Sequence, residues 1–238
     1  MASSAKAAFT GFSREGVAFL TELAANQSRE WFEPRKALYE RELRDPLAAL
    51  VASLGLALAA HDIELNCDPK RAIFRIYRDV RFGKDKSPYK THISAAMSRD
   101  GDKGAPGVLY LHIEPAGSFA ASGFYMPQPG DLHAIRERIV GRPKEFADMM
   151  AGLRKAKLDF SRDDALKRTP RGFEQAADPA IIDILRLKTL VVTRTIAPKT
   201  LHDGDKLVAE LVAFAQAAAP LLRFGWSAIT AARKAAKE

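Results

Sequence analysis

Residues Ile93–Met126 read ISAAMSRDGDKGAPGVLYLHIEPAGSFAASGFYM, and the fold turns on how this stretch is parsed. Its centre, Val108 to Glu114 (VLYLHIE), alternates with a period of two. That predicts a strand with Val108, Tyr110, His112 and Glu114 on one face and Leu109, Leu111 and Ile113 on the other. Turn-forming segments bracket it: Arg99–Gly107 (RDGDKGAPG) before and Pro115-Ala-Gly117 after. Strands at Ile93–Met97 and Phe119–Met126 then complete an antiparallel meander. Upstream, Ile73–Phe82 (IFRIYRDVRF) alternates in the same way and predicts one more strand.

Outward from this block the apolar period becomes helical. Ser13 caps a helix carrying Val17, Phe19, Leu20 and Leu23, which ends at Asn26. Ser28 opens a longer one striped by Trp31/Phe32, Leu38/Tyr39, Leu43, Leu47, Leu50/Val51 and Leu54. A kink is expected at Pro46 and an end at Gly55. After Pro127 and Pro129, helices are expected at 131–140 and 143–155, and Asp178-Pro179 opens another to Leu187. Leu190–Ile196 reads as a last strand, and Asp203 caps a final helix through Leu207, Leu211, Phe214 and Ala218. Trp31, Phe32 and Trp226 read as core anchors. The class is therefore α+β: a mostly antiparallel central sheet, with N-terminal and C-terminal helices covering one face. One domain over 1–238 is expected, with an ordered core at about 9–224 and a tail at 225–238.

A 47% hydrophobic, 28% charged composition suits a folded core rather than a disordered chain. No apolar run approaches the roughly 18 residues of a membrane span, and the first residues lack a secretory core, so a cytoplasmic protein with no membrane is expected. Cys67 stands alone, which excludes an internal disulfide and a cysteine-based zinc cluster.

The charge is unevenly spread. Lys70–His92 (KRAIFRIYRDVRFGKDKSPYKTH) sets eight cations against Asp79 and Asp85, leaving +6 of the chain's +8. In a regular strand, Arg78 interrupts the apolar face of Phe74, Ile76, Val80 and Phe82, while Arg75, Tyr77, Asp79 and Arg81 share the other. A buried Arg78 needs a carboxylate, for which Glu22, Glu30 and Glu40 on a packed helix are candidates. Arg75, Tyr77, Arg78, Arg81, Lys84, Lys86 and Lys90 form the anion-binding candidates. Arginine forks grip phosphate, lysines add mobile charge and aromatic rings can stack on bases. The matching partners are a phosphorylated small molecule or nucleic acid; the competing reading is an internal ion-pair network.

Binding through this basic segment is the first reading; a second set of residues carries acid–base chemistry as the alternative. If Ile93–Met97 pairs with Val108–Glu114, His92 falls beside His112, and with Glu114 the pair suits acid–base catalysis on a phosphate- or carboxylate-bearing substrate. A one-residue slip would separate them. As metal ligands, two imidazoles and a carboxylate on undetermined faces are a thin set, and no metal is assigned. The sequence contains no nucleophile elbow, no His-Glu-x-x-His and no phosphate-binding loop.

Several strings in order resemble the bacterial and fungal domain-of-unknown-function family 2461. They are Phe9–Phe12 (FTGF), Asn26–Phe32 (NQSREWF), Phe74–Tyr89 (FRIYRDVRFGKDKSPY), Tyr110–Ile113, Pro170–Phe173 (PRGF) and Leu185–Lys188 (LRLK). The resemblance implies a compact α+β domain and brings no activity or catalytic residues with it.

Overall fold

The meander predicted from Ile93–Met126 is the spine of the molecule. The computed structural model describes residues 9–81 and 84–236. Strands β1 (Ile93–Ser98), β2 (Val108–Ile113), β3 (Phe119–Phe124) and β4 (Leu190–Thr195) form a sheet in that order. Every neighbouring pair is antiparallel. The turn of 99–107 closes on itself: Asp100 accepts from the Asp102 amide and Asp102 from that of Gly104. Gly107 leaves the turn at φ 81°, and a Cβ there would lie 2.5 Å from the Trp226 indole nitrogen. Trp226 donates to the neighbouring Pro106 carbonyl at 2.9 Å.

Leu109, Leu111 and Ile113 of β2 are buried, as are Ala95 and Met97 of β1 and Val192 of β4. This apolar face is covered from both ends of the chain. Helix α1 (Arg14–Ala25) starts at Ser13, whose hydroxyl accepts from the Gly16 amide. Ser28 likewise accepts from Trp31 and opens α2 (Arg29–Phe32). From there the chain stays helical through α3 (Lys36–Tyr39) and α4 (Asp45–Ala59). The expected disturbance at Pro46 takes the form of a π turn over Glu40–Arg44, immediately before α4. The wider turn absorbs the hydrogen bond that proline cannot make. Leu47, Leu50, Val51 and Leu54 therefore stay on the buried face. Gly55 does not end the helix, because α4 packing on the sheet carries it four residues further, to Ala59.

Short α5 (Pro69–Ala72) leads towards the outer edge of β1. The expected strand at 73–82 is not formed. Only isolated bridges remain, Ile73 with Ala95 and Tyr77 with Tyr89, and Phe82 lies outside the described residues. After the Phe74 amide bonds Ser94, the chain leaves the sheet edge as an arm. There Arg78 N–H donates to Pro88 O and Lys90 N–H to Ile76 O.

Helices α6 (Pro129–Gly141), α7 (Pro143–Lys155) and α8 (Pro179–Leu185) follow the expected positions, with Asp178 capping α8. Helix α9 (Gly204–Ala235), capped by Asp203, packs on α4, α6, α7 and β3. The expected tail from 225 is instead helix, with Trp226, Ala228 and Ile229 buried. Pro220 does not stop it. The cost of about 3 kcal/mol for an interior proline is offset by the burial of Ala218, Ala219, Leu221 and Leu222 around it. By length and hydropathy α9 would also suit a membrane span, yet 56% of its most apolar window is buried against the rest of the chain.

Cys67 sits beneath α4, its thiol facing the Leu65 carbonyl at 3.6 Å. Burial pushes that thiol up from 9.0 to about 11. At pH 8 its reaction with a thiolate-specific disulfide reagent should run about a hundredfold slower than for an unperturbed cysteine, and recover as pH rises towards 11. Rapid labelling of the folded protein at pH 8 would contradict this.

Candidate active site on the open face of the sheet

The sheet face turned away from the helices carries Tyr110, His112 and Glu114 at alternate positions of the β2 line, all half-buried. The register sets Ser94 opposite His112 and Ile93 opposite Ile113, so His92 falls opposite Glu114. Sequence pattern and register together thus bring His92, His112 and Glu114 to one place. The His92 and His112 rings lie 4.1 Å apart. On the other side of His112, Phe119 of β3 stacks at 4.7 Å and 15°. The imidazole is clamped, and its side chain is 12% exposed.

A continuous hydrogen-bonded series runs through it. Tyr110 Oη meets His112 Nδ1 at 3.1 Å, and His112 Nε2 meets Glu114 Oε2 at 3.2 Å. Thr91 donates to the other carboxylate oxygen at 2.6 Å. The Glu114 backbone is pinned as well: its N–H donates to Ser118 Oγ, which donates back to the Glu114 carbonyl. Burial pushes the Glu114 carboxyl up, but the bonds from Thr91 and His112 and the charges of both imidazoles outweigh it. The net shift is downward, so the group is ionised. Burial, reinforced by the charge of His112, drives His92 down to about 4. Burial raises the Tyr110 phenol, which keeps its proton at neutral pH.

Beside this series Phe74 packs edge-on to Tyr110 at 6.3 Å. Two ammonium groups flank the Phe74 ring, Lys90 at 5.2 Å and Lys103 at 5.6 Å. Lys90 donates to Arg75 O, and Lys103 to the carbonyls of Arg71 and Ile73. Burial, then the charges of Arg75 and Lys103, lower the Lys90 pKa, the mark of a crowded cation cluster.

The rest of the basic arm is arranged differently. Arg78 is not buried, and its partner is Asp85, not Glu22, Glu30 or Glu40; the two side chains are 38% and 56% exposed. The reason is that the chain leaves the sheet edge after Phe74, so Arg78 does not enter the layer between sheet and helices. Asp85 is held down to about 2 by the Ser87 hydrogen bonds and then by Arg78. Arg81 grips Asp79 with two bonds of 2.9 and 2.7 Å, and Lys86 donates to the Val80 carbonyl. Arg75 and Lys84 are exposed with no ion pair among the described residues. Tyr77 is 39% exposed, its ring leaning on Phe32 and Tyr89. Much of the arm's charge is thus spent within the arm. An exposed pair contributes little, so Arg78→Ala should cost under about 1 kcal/mol in a denaturant melt. A loss of 3 kcal/mol or more would restore a buried role.

Tyr110, Phe119 and Lys103 join the site without having been singled out as site residues. Tyr110 was within reach, since it shares the period-two face of His112. Lys103 was not, because only the folded turn of 99–107 returns it to Phe74. No curated protein and no solved structure matches the chain. The sequence profile that does match covers residues 15–224, so the chain belongs to the DUF2461 family of conserved hypothetical proteins.

Proposed function

We propose that the open sheet face is the active site of an enzyme that moves a proton on an anionic substrate. The observation that supports this reading is the series Tyr110–His112–Glu114, in which a clamped imidazole has a carboxylate on one nitrogen and a hydroxyl on the other. The Glu114 carboxylate favours the tautomer with hydrogen on Nε2, leaving the Nδ1 lone pair for the Tyr110 hydroxyl. A proton leaving the substrate passes to the Tyr110 oxygen while the phenolic proton moves to His112. Glu114 then stabilises the imidazolium. Lys90 and Lys103, beside Phe74, draw the substrate's phosphate or carboxylate to the same face.

A thermal-shift screen over phosphorylated and carboxylated metabolites tests binding. A true ligand at a hundred times its Kd stabilises the fold by about 2.7 kcal/mol. With that ligand, His112→Gln and Tyr110→Phe should keep the shift and lose turnover by roughly 10²–10⁴. Lys90→Ala with Lys103→Ala should lose the shift. Turnover unchanged in His112→Gln sinks the reading.

The exposed Tyr77, Arg75 and Lys84 of the arm favour a second reading, binding of nucleic acid without chemistry. About four phosphate contacts would give a salt slope near −3.6, roughly a hundredfold weaker binding from 50 to 200 mM salt. No binding to any oligonucleotide at low salt removes it.

A further inference from the structure

We propose that His92, His112 and Glu114 also form a binding site for one divalent transition-metal ion, with water completing its coordination. The proposal deepens the active-site reading by using two of its residues, but it stands on separate geometry. One nitrogen from each imidazole and one Glu114 oxygen lie within 4.8 Å of one another. The His112 Nε2 to Glu114 Oε2 distance, 3.2 Å, already matches two donors on a single ion. Tetrahedral bonds of about 2.0–2.1 Å place their donors roughly 3.3 Å apart. The two separations that involve His92, each within 4.8 Å, have to close by at most roughly 1.5 Å.

The far atoms of two ligands are already held. Tyr110 Oη sits on His112 Nδ1, and the Thr91 hydroxyl on Glu114 Oε1. Outer partners of this kind fix ligand orientation in metal sites. With an ion on Nε2, His112 carries its hydrogen on Nδ1 and donates it to Tyr110, so binding needs a change of tautomer and releases no proton. The ring stack of His92, His112 and Phe119 restricts how His112 can turn.

Donor chemistry decides the class of ion. Two imidazoles and one carboxylate suit zinc, iron(II) or cobalt(II), whereas calcium and magnesium prefer shells of oxygen. Such an ion would lower the pKa of a coordinated water and supply a nucleophile; with Nδ1 protonated and Glu114 on the ion, this state is an alternative to the Tyr110–His112 relay rather than an addition to it. With Lys90 and Lys103 nearby, the ion would add to the positive field that holds an anionic substrate.

The test uses the full chain, stripped with a chelator and titrated with Co2+ alone. One Co2+ per chain is expected, with visible absorption from a nitrogen–oxygen field, displaced by equimolar Zn2+ and untouched by excess Mg2+. His92→Ala, His112→Ala and the near-isosteric Glu114→Gln should each weaken uptake at least tenfold, with circular dichroism melts confirming the fold. Thr91→Val should weaken it by roughly 10- to 100-fold. His133→Ala, which removes the exposed His133–Glu137 pair on α6, should leave uptake unchanged. Absence of Co2+ uptake, or uptake unaffected by Glu114→Gln, overturns the proposal. Turnover that persists in excess chelator overturns the metal's catalytic part and leaves the proton relay standing, whereas cobalt uptake with no loss of turnover in Tyr110→Phe, which removes a relay hydroxyl but no ligand, does the reverse.

Discussion

Gly225→Ala should destabilise the protein by about 3 kcal/mol, although alanine is the better helix former by about 1 kcal/mol. The added methyl would lie 2.2 and 2.3 Å from two ring carbons of Phe124. That ring is fully buried on β3, and its tip sits between two glycines, since a Cβ on Gly107 would also lie 2.9 Å from it. Glycine at 225 therefore lets α9 approach β3 around an aromatic side chain. Equilibrium urea unfolding of the single variants and of Gly225→Ala with Phe124→Leu gives the coupling. The double variant should cost less than the sum of the two singles, since the smaller side chain makes room for the methyl. A Gly225→Ala midpoint at or above wild type would show that helix propensity outweighs the clash.

Phe32→Ala should cost about 3–5 kcal/mol, the range for a large aromatic removed from a core. Phe32 is fully buried and stacks on Tyr89 at 4.3 Å, with Tyr39 at 5.7 Å and Tyr77 at 6.1 Å. Tyr77 and Tyr89 are the bridged pair of the basic arm, and the Tyr89 amide donates to Gln27 Oε1. The arm's base is thus tied to α2 and the segment before it. Besides the loss of stability, trypsin should cut at Lys84 and Lys86 faster in the variant, under conditions where both proteins remain folded. Equal cleavage rates would mean that the arm holds its shape without this stack.

What the sequence disclosed follows from how local each signal is. Ser13, Ser28, Asp178 and Asp203 act on amides two or three residues away, and all four caps are found. The β2 alternation needs only its own residues, so the partition of His112 from Leu111 was readable. The meeting of His92 with His112 was readable only as a condition, because it depends on the register around 99–107. The arm at 73–82 misled for a physical reason. Alternation reports which side chains would share a face, but not whether a partner strand exists to make one. Past the edge of β1 the described residues form only isolated bridges, so Arg78 never meets the apolar layer that its position implied. The continuation of α9 through Pro220 was hidden for the opposite reason. A local breaker was overruled by burial against α4 and β3, elements distant in sequence.

The placement of α9 has a consequence for synthesis. The sheet is nearly complete once β3 has emerged, but the helix that covers its middle is made last. Between Phe124 and Ile229 lie roughly a hundred residues, on the order of 5–20 s of translation. Throughout that interval the apolar side of β3 and the side of α4 that meets α9 lack their cover. A nascent chain in this state is a natural client for a hydrophobic-binding chaperone. Its cooperative core can close only when the Phe124 ring receives Gly225, so acquisition of the native state is timed by the arrival of a glycine rather than by any step of strand pairing.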